Sequence, residues 1–148
     1  MARLFPRLMV LVEADGAAGR PLKAPADHEP VIPSSSRLVL AVAGIDALGQ
    51  PLDARCVHRP ERVARLSGLG LGESVTPRSI ASALWHPEGC GRGRSPGAHL
   101  VPVINKVDSA EWRDGGRRVA RELVAMGAPT VLLTCCLGWP GLVEVIHR

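Results

Sequence analysis

Tyrosine is absent from this chain, phenylalanine occurs once and tryptophan three times, so aromatics make up only 3% of its 148 residues. Proteins that hold single-stranded nucleic acid interleave basic residues with rings on which bases stack, whereas Trp85, Trp112 and Trp139 lie far apart. The net charge of +4 does not reverse that argument, because 16 of the 18 basic residues are Arg and none forms a basic run. Such charge reads as solvated surface, and no nucleic-acid partner is expected.

Long apolar stretches are also missing. No segment approaches the ~20 apolar residues that cross a bilayer. Arg3 and Arg7 precede an apolar run from Leu8 to Val12, but the run meets Glu13 and Asp15 at once and has no small-residue cleavage site. It reads as a strand rather than a signal peptide. A cytoplasmic protein without a membrane partner is expected. The four cysteines are Cys56, Cys90 and the adjacent Cys135 and Cys136, with no Cys-x-x-Cys spacing and no disulfide framework. Cys56 with His58, or His86 with Cys90, can in principle join a metal site, but two isolated pairs without a fixed register read better as buried or surface thiols. Finally, nothing reads Gly-x-x-x-x-Gly-Lys-Ser/Thr, so the chain carries no phosphate-cradling loop of its own.

The chain does have enough apolar material, 46% of residues, for one α/β domain spanning residues 1–148. Its aliphatic bias suits buried parallel strands. Strands are predicted at Leu8 to Val12, Leu38 to Ala43, Leu100 to Ile104 and Val131 to Thr134. Helices are predicted from Pro60 to the stop at Gly68, from Pro77 to His86 behind a Thr76 cap, and after Asp108 until Gly127. A last short helix is predicted over Leu142 to His147. Gly16 to Pro33 is a long Gly/Pro-rich loop, of the kind that is functional or disordered. Strands alternating with helices imply a mainly parallel sheet flanked by helices.

Two segments carry chemistry. Glu13 and Asp15 leave the first strand at the carboxyl edge, where open α/β sheets bind ligands. Carboxylates there can hold Mg²⁺ directly or through water, or simply make a solvated strand end. Asn105-Lys106-x-Asp108 leaves a buried strand and precedes a helix, with Thr134-Cys135 ending the following strand nearby. A carboxylate at Asp108 can accept two parallel hydrogen bonds from the Watson–Crick edge of guanine, a pair that adenine does not offer. The competing reading makes Asp108 a helix cap and Glu111 its capping-box partner. Gly68-x-Gly70-x-Gly72 and Gly89-x-Gly91-x-Gly93 lack the dinucleotide spacing and read as turns, with Arg92 and Arg94 in the second able to grip a phosphate or an acidic partner.

The run from Leu11 to Pro33, which includes Glu13-Ala14-Asp15-Gly16 and Arg20-Pro21-Leu22-Lys23-Ala24-Pro25-Ala26-Asp27-His28-Glu29-Pro30, resembles the signature of the YqeC proteins. Gly44-x-Asp46-Ala47-Leu48-Gly49-x-Pro51-Leu52, Val57-His58-Arg59-Pro60-Glu61, His86-Pro87-Glu88-Gly89 and Asn105-Lys106-Val107-Asp108 follow in that family's order. The resemblance implies an accessory factor in selenium cofactor biosynthesis for selenium-dependent molybdenum hydroxylases. It also implies a P-loop NTPase-like domain here lacking its phosphate loop and the strand before it, as in an N-terminally truncated product. On it, Glu13 and Asp15 become Mg²⁺ or switch acids, Arg20 and Lys23 sense phosphate or partner, and Asn105, Lys106 and Asp108 hold the base of GTP or ATP. NTP hydrolysis then requires a phosphate loop supplied upstream. The expected partners are a nucleotide and a hydroxylase or its cofactor-insertion machinery. The other reading is a non-catalytic module that docks such a partner through Gly16 to Pro33 and Arg92/Arg94.

Overall fold

The computed structural model describes residues 9–137 and 141–148; Arg3, Arg7, Leu8, Trp139 and Pro140 lie outside the described residues. Its centre is a four-stranded sheet. The apolar run Leu-Val-Leu-Ala-Val-Ala-Gly forms β2 (Leu38–Gly44), which pairs in parallel with β4 (His99–Asn105) from Leu38 opposite His99 to Gly44 opposite Asn105. β4 pairs in parallel with β5 (Thr130–Thr134), and β6 (Leu142–His147) closes the other side antiparallel to β5, giving the order β2-β4-β5-β6. A separate two-stranded parallel ribbon joins β1 (Leu22–Lys23) to β3 (Val57–His58). The α/β class and the mainly parallel sheet thus agree with the sequence pattern.

Three helices supply the other layer. α1 (Pro60–Ser67) starts on a proline and stops at Gly68, whose φ of 75° only glycine adopts without strain. α2 (Pro77–Trp85) is capped by Thr76, whose hydroxyl accepts from the Ser79 N–H while the Ser79 hydroxyl accepts from the Thr76 N–H. α3 (Ala110–Ala125) buries Val119, Ala120 and Leu123, and places Gly115 and Gly116 where side chains would press on Leu48, Ile45, Val107 and Leu133. One continuous core joins Val63, Ile80, Leu84, Val119 and Leu123 to the alternate strand residues Ala41, Ala43, Leu100, Ile104, Val131 and Leu133. The residues between them on β2, namely Leu38, Leu40 and Val42, are each more than half exposed.

The structure departs from or refines the sequence pattern at four places. Residues Met9 to Val12 form no strand, and every one of them is more than half exposed. A strand needs a ladder partner, and among the described residues none lies beside this segment. Leu142–His147 is a strand, not a helix, because its β-branched Val143, Val145 and Ile146 favour an extended chain that β5 can pair. The loop from Gly16 to Pro33 contains β1, and its Leu22, Lys23, Ala24 and Ala26 are buried. The cap of α3 is Ser109, whose hydroxyl accepts from the Trp112 N–H at 3.1 Å, and not Asp108. Ser109→Ala is therefore expected to cost about 1 kcal/mol of stability, measured by urea unfolding, with Asp108→Ala leaving that stability close to wild type.

Candidate nucleotide site and the buried loop network

The carboxyl ends of β2 and β4 lie side by side and bring two loops together. Immediately after β2, Asp46 sits in a 3₁₀ turn (Ile45–Ala47). Immediately after β4, Lys106 adopts a φ of 68°, an uncommon conformation for a residue with a side chain. Its ammonium reaches across to Asp46 Oδ2 at 2.6 Å. The other oxygen of that carboxylate, Oδ1, is enclosed without a hydrogen bond among the described residues. A Cβ at Gly44 would collide with it and press on the Pro21 ring, so a larger residue here would displace the Asp46 carboxylate.

The rest of the Asn105-Lys106-Val107-Asp108 loop is anchored on β5. Thr134 donates its hydroxyl proton to Asn105 Oδ1 at 3.0 Å, and the Val107 N–H donates to the Thr134 carbonyl at 3.1 Å. Val107 is fully buried, whereas Lys106 and Asp108 are exposed. The loop is thus pinned at its first and third residues and presents the second and fourth to solvent. The sequence pattern placed this loop after a strand and beside Thr134. It did not indicate the Asp46 partnership, for which sixty residues of separation leave no local signal.

The acidic and basic residues near the start of the chain form a second cluster. Lys23 is only 7% exposed, and its ammonium contacts Asp15, the Gly16 carbonyl at 2.8 Å and Glu29 Oε2 at 3.3 Å. Arg59 closes the cluster by donating Nη1 to Glu29 Oε2 at 2.7 Å and Nη2 to Glu29 Oε1 at 3.0 Å, a two-pronged pair. That guanidinium, helped by the Ala26 N–H and Lys23, holds the Glu29 carboxyl at about 2. Arg59 itself sits at φ 60° as the residue before α1. His58 is pushed below its ordinary value by burial and then by Arg59, Lys23 and Arg20. Desolvation pushes the Cys90 thiol up to about 12.

These contacts distinguish the residues singled out from the sequence. Asp15 and Lys23 are brought together as an ion pair, which Lys23 shares with Glu29. Arg20 clamps main chain, donating Nε to the Ala54 carbonyl and Nη1 to the Ala18 carbonyl. Glu13 is exposed. Arg92 lies 3.7 Å from Asp27, and Arg94 donates to the Gly91 carbonyl. Glu29 and Arg59, which the sequence reading left without a role, tie the cluster together. The two clusters meet through backbone, because the Gly44 N–H donates to the Pro21 carbonyl at 2.8 Å. Both therefore belong to the same edge of the sheet region, although no direct contact joins Glu13 or Asp15 to Asn105, Lys106 or Asp108 among the described residues.

A Mg²⁺ ion takes six oxygens and is commonly held by one or two carboxylates plus water and phosphate. Among the described residues no three His, Cys, Asp or Glu side chains are grouped to hold a metal. Glu13 is exposed and Asp15 is ion-paired with Lys23, so these two carboxylates by themselves make no self-sufficient metal centre. Cys56 with His58 and His86 with Cys90 belong to no such group among the described residues. A cavity of about 340 Å³ lies elsewhere, between Leu48, Val75, Thr76, Trp112 and Arg118, and touches none of these residues.

A mainly parallel sheet backed by three helices, with chemistry-bearing loops gathered at the strands' carboxyl ends, defines an α/β protein of the kind that binds ligands at that edge. Residues 1–61 match the family model described as YqeC protein. Over 103 residues the chain is 37% identical to a protein of Escherichia coli (strain K12) named uncharacterized protein YqeC, covering 70% of this chain and 40% of that relative. The chain belongs to the YqeC family. It spans about two fifths of the length of this curated relative. No solved structure matches it, and no described helix is long and apolar enough to cross a membrane.

Proposed function

We propose that this chain is a purine-nucleotide-binding accessory protein that serves the maturation of selenium-dependent molybdenum hydroxylases, with Asn105, Lys106 and Asp108 as its base loop. The observation that carries the nucleotide part is the loop's construction. Asn105 and Val107 are immobilised by Thr134, and Asp108 is left as an exposed carboxylate at the ligand-binding edge of a parallel sheet. A carboxylate at that place can select guanine by accepting its paired N–H groups. The selenium role is supported by family membership and by the long loop from Leu11 to Pro33.

In this reading Glu13 and Asp15 would hold Mg²⁺ bound with the nucleotide, where the ion would neutralise phosphate charge. Asp46 orients Lys106. Arg20 and Lys23 shape the loop beside the site, since both already have partners, and they reach a phosphate only by giving those up. Hydrolysis requires a phosphate-cradling loop that these residues do not form, and a whole protein that supplies one would be an NTPase.

Titration calorimetry with Mg²⁺ and GTP, GDP, ATP or ADP tests the base loop. Asp108→Ala is expected to weaken guanine nucleotides by about tenfold or more, as loss of a bidentate charged hydrogen bond implies, and to leave adenine nucleotides little changed. Absence of binding, or binding indifferent to the substitution, would count against the role. The other reading, a module that docks a hydroxylase or cofactor carrier without nucleotide chemistry, is favoured by the ion-paired build of the Gly16 to Pro33 loop, which leaves His28 and Val31 exposed on a fixed frame. It predicts no nucleotide binding and retained capture of that partner by the Asp108→Ala chain.

A further inference from the structure

Parallel sheets are almost always covered on both faces, because each face is apolar. Here the helices account for one face. Strand register lines up the other: Leu40 lies opposite Val101, Val42 opposite Val103, Val103 opposite Leu132, and Leu132 opposite Val145. A row of branched aliphatic side chains therefore crosses all four strands on a face that no described helix covers; its central Val103 is buried, at 6% exposed, and its β2 and β6 members are the exposed ones. Leu38, Leu40 and Val42 remain 56%, 52% and 53% exposed, and Val145 is 41% exposed. No Lys, Arg, Asp or Glu lies in this row, and β2 has no proline, charge or bulge of the kind that guards natural edge strands.

We propose that two copies of this chain pack these faces together across a two-fold axis, forming a sheet-on-sheet dimer centred on Leu40, Val42 and Leu132. Area argues for a second copy. Half-exposed Leu and Val side chains leave roughly 80 Å² each, so Leu38, Leu40, Val42, Leu142, Val143 and Val145 expose about 500 Å², within the ~300–600 Å² that marks an interaction patch. Doubled by symmetry, this reaches the ~1,000 Å² that a specific interface needs. A neutral apolar patch is complementary to itself, so an isologous contact brings no like charges together despite the chain's net charge of +4. Two such faces pack about 10 Å apart with interdigitating side chains.

Sedimentation velocity on the full chain tests the proposal over a concentration series reaching about 100 µM, where an interface near the lower size limit is expected to be populated. The wild type is expected to sediment as a reversible monomer–dimer pair. Leu40→Asp and Val42→Asp replace exposed side chains and should keep the fold, checked by far-ultraviolet circular dichroism. Each is expected to raise the dimer dissociation constant at least a hundredfold. Leu71→Asp, equally exposed but outside the sheet, is expected to leave it unchanged. A wild type that stays monomeric throughout, indefinite association beyond the dimer, or a dimer that survives both sheet substitutions overturns the proposal. A monomeric wild type would leave the face to a different polypeptide.

Discussion

Glu29→Ala is expected to lower the unfolding free energy at pH 7 by about 3 kcal/mol, the range for breaking a poorly solvated ion pair from one side. The reason is what stays behind. Arg59 would lose both hydrogen bonds, and Lys23, only 7% exposed, would keep Asp15 as its sole carboxylate. In a chain of this length such a loss lowers the thermal midpoint by about 10 °C. The pH dependence gives a sharper signature. Glu29 holds its proton less readily in the folded chain, at about 2, than its ordinary 4.5. Its contribution is therefore complete above about pH 4.5 and disappears as pH falls toward 2. Glu29→Gln is expected to flatten that limb of the stability profile, read from urea unfolding at pH 7, 4 and 3. An unchanged acid limb would show that the carboxylate is not stabilised by Arg59 and Lys23 as the geometry implies.

Gly89→Ala is expected to destabilise the chain by about 2 kcal/mol or more. A Cβ at this position would stand 2.5 Å from the Ala83 carbonyl oxygen and 3.0 Å from that of His86, both backbone atoms at the end of α2. Flexible side chains can move aside, but a helix end cannot do so without disturbing the bonds that close it. Here these are Gly89 N–H to the His86 carbonyl at 2.7 Å and Cys90 N–H to the Ala83 carbonyl at 3.0 Å. Overpacking of this kind costs about 1–3 kcal/mol even where side chains yield. Gly93→Ala makes a useful comparison, because Gly93 has open space but a φ of 74°; its cost of about 1 kcal/mol is conformational. Urea unfolding of both variants checks the order, and a Gly89→Ala chain as stable as wild type would refute the close approach.

Helices were legible wherever a local stop or start signal coincided with periodic apolar residues. Pro60 and Gly68 bracket α1, and Thr76 with Pro77 opens α2. Such signals act within a turn or two of the chain, so their physics is present in the sequence. The terminal segment Leu142–His147 was misread because six residues carry too little periodicity to separate a short helix from a strand, and pairing with β5 decided the matter. Met9 to Val12 differs for the opposite reason: an apolar run has the propensity for a strand, yet among the described residues no neighbour offers its hydrogen bonds a ladder to join. The candidate site divides the same way. Asn105, Lys106 and Asp108 stood out as a motif, but the partner of Lys106 is Asp46, sixty residues away.

By itself the sequence determined the class of the chain, an aliphatic α/β protein with a mainly parallel sheet, its family, and the loops that carry charge at strand ends. Those properties follow from composition, period and short-range capping, which act between residues close along the chain. Tertiary structure alone decided that Lys23 is ion-paired with Asp15 and Glu29. It also decided that Thr134 holds the loop from Asn105 to Asp108, and that one apolar sheet face is covered by no described helix. Each depends on where distant segments meet, and burial and ion pairing act across space without regard to separation along the chain.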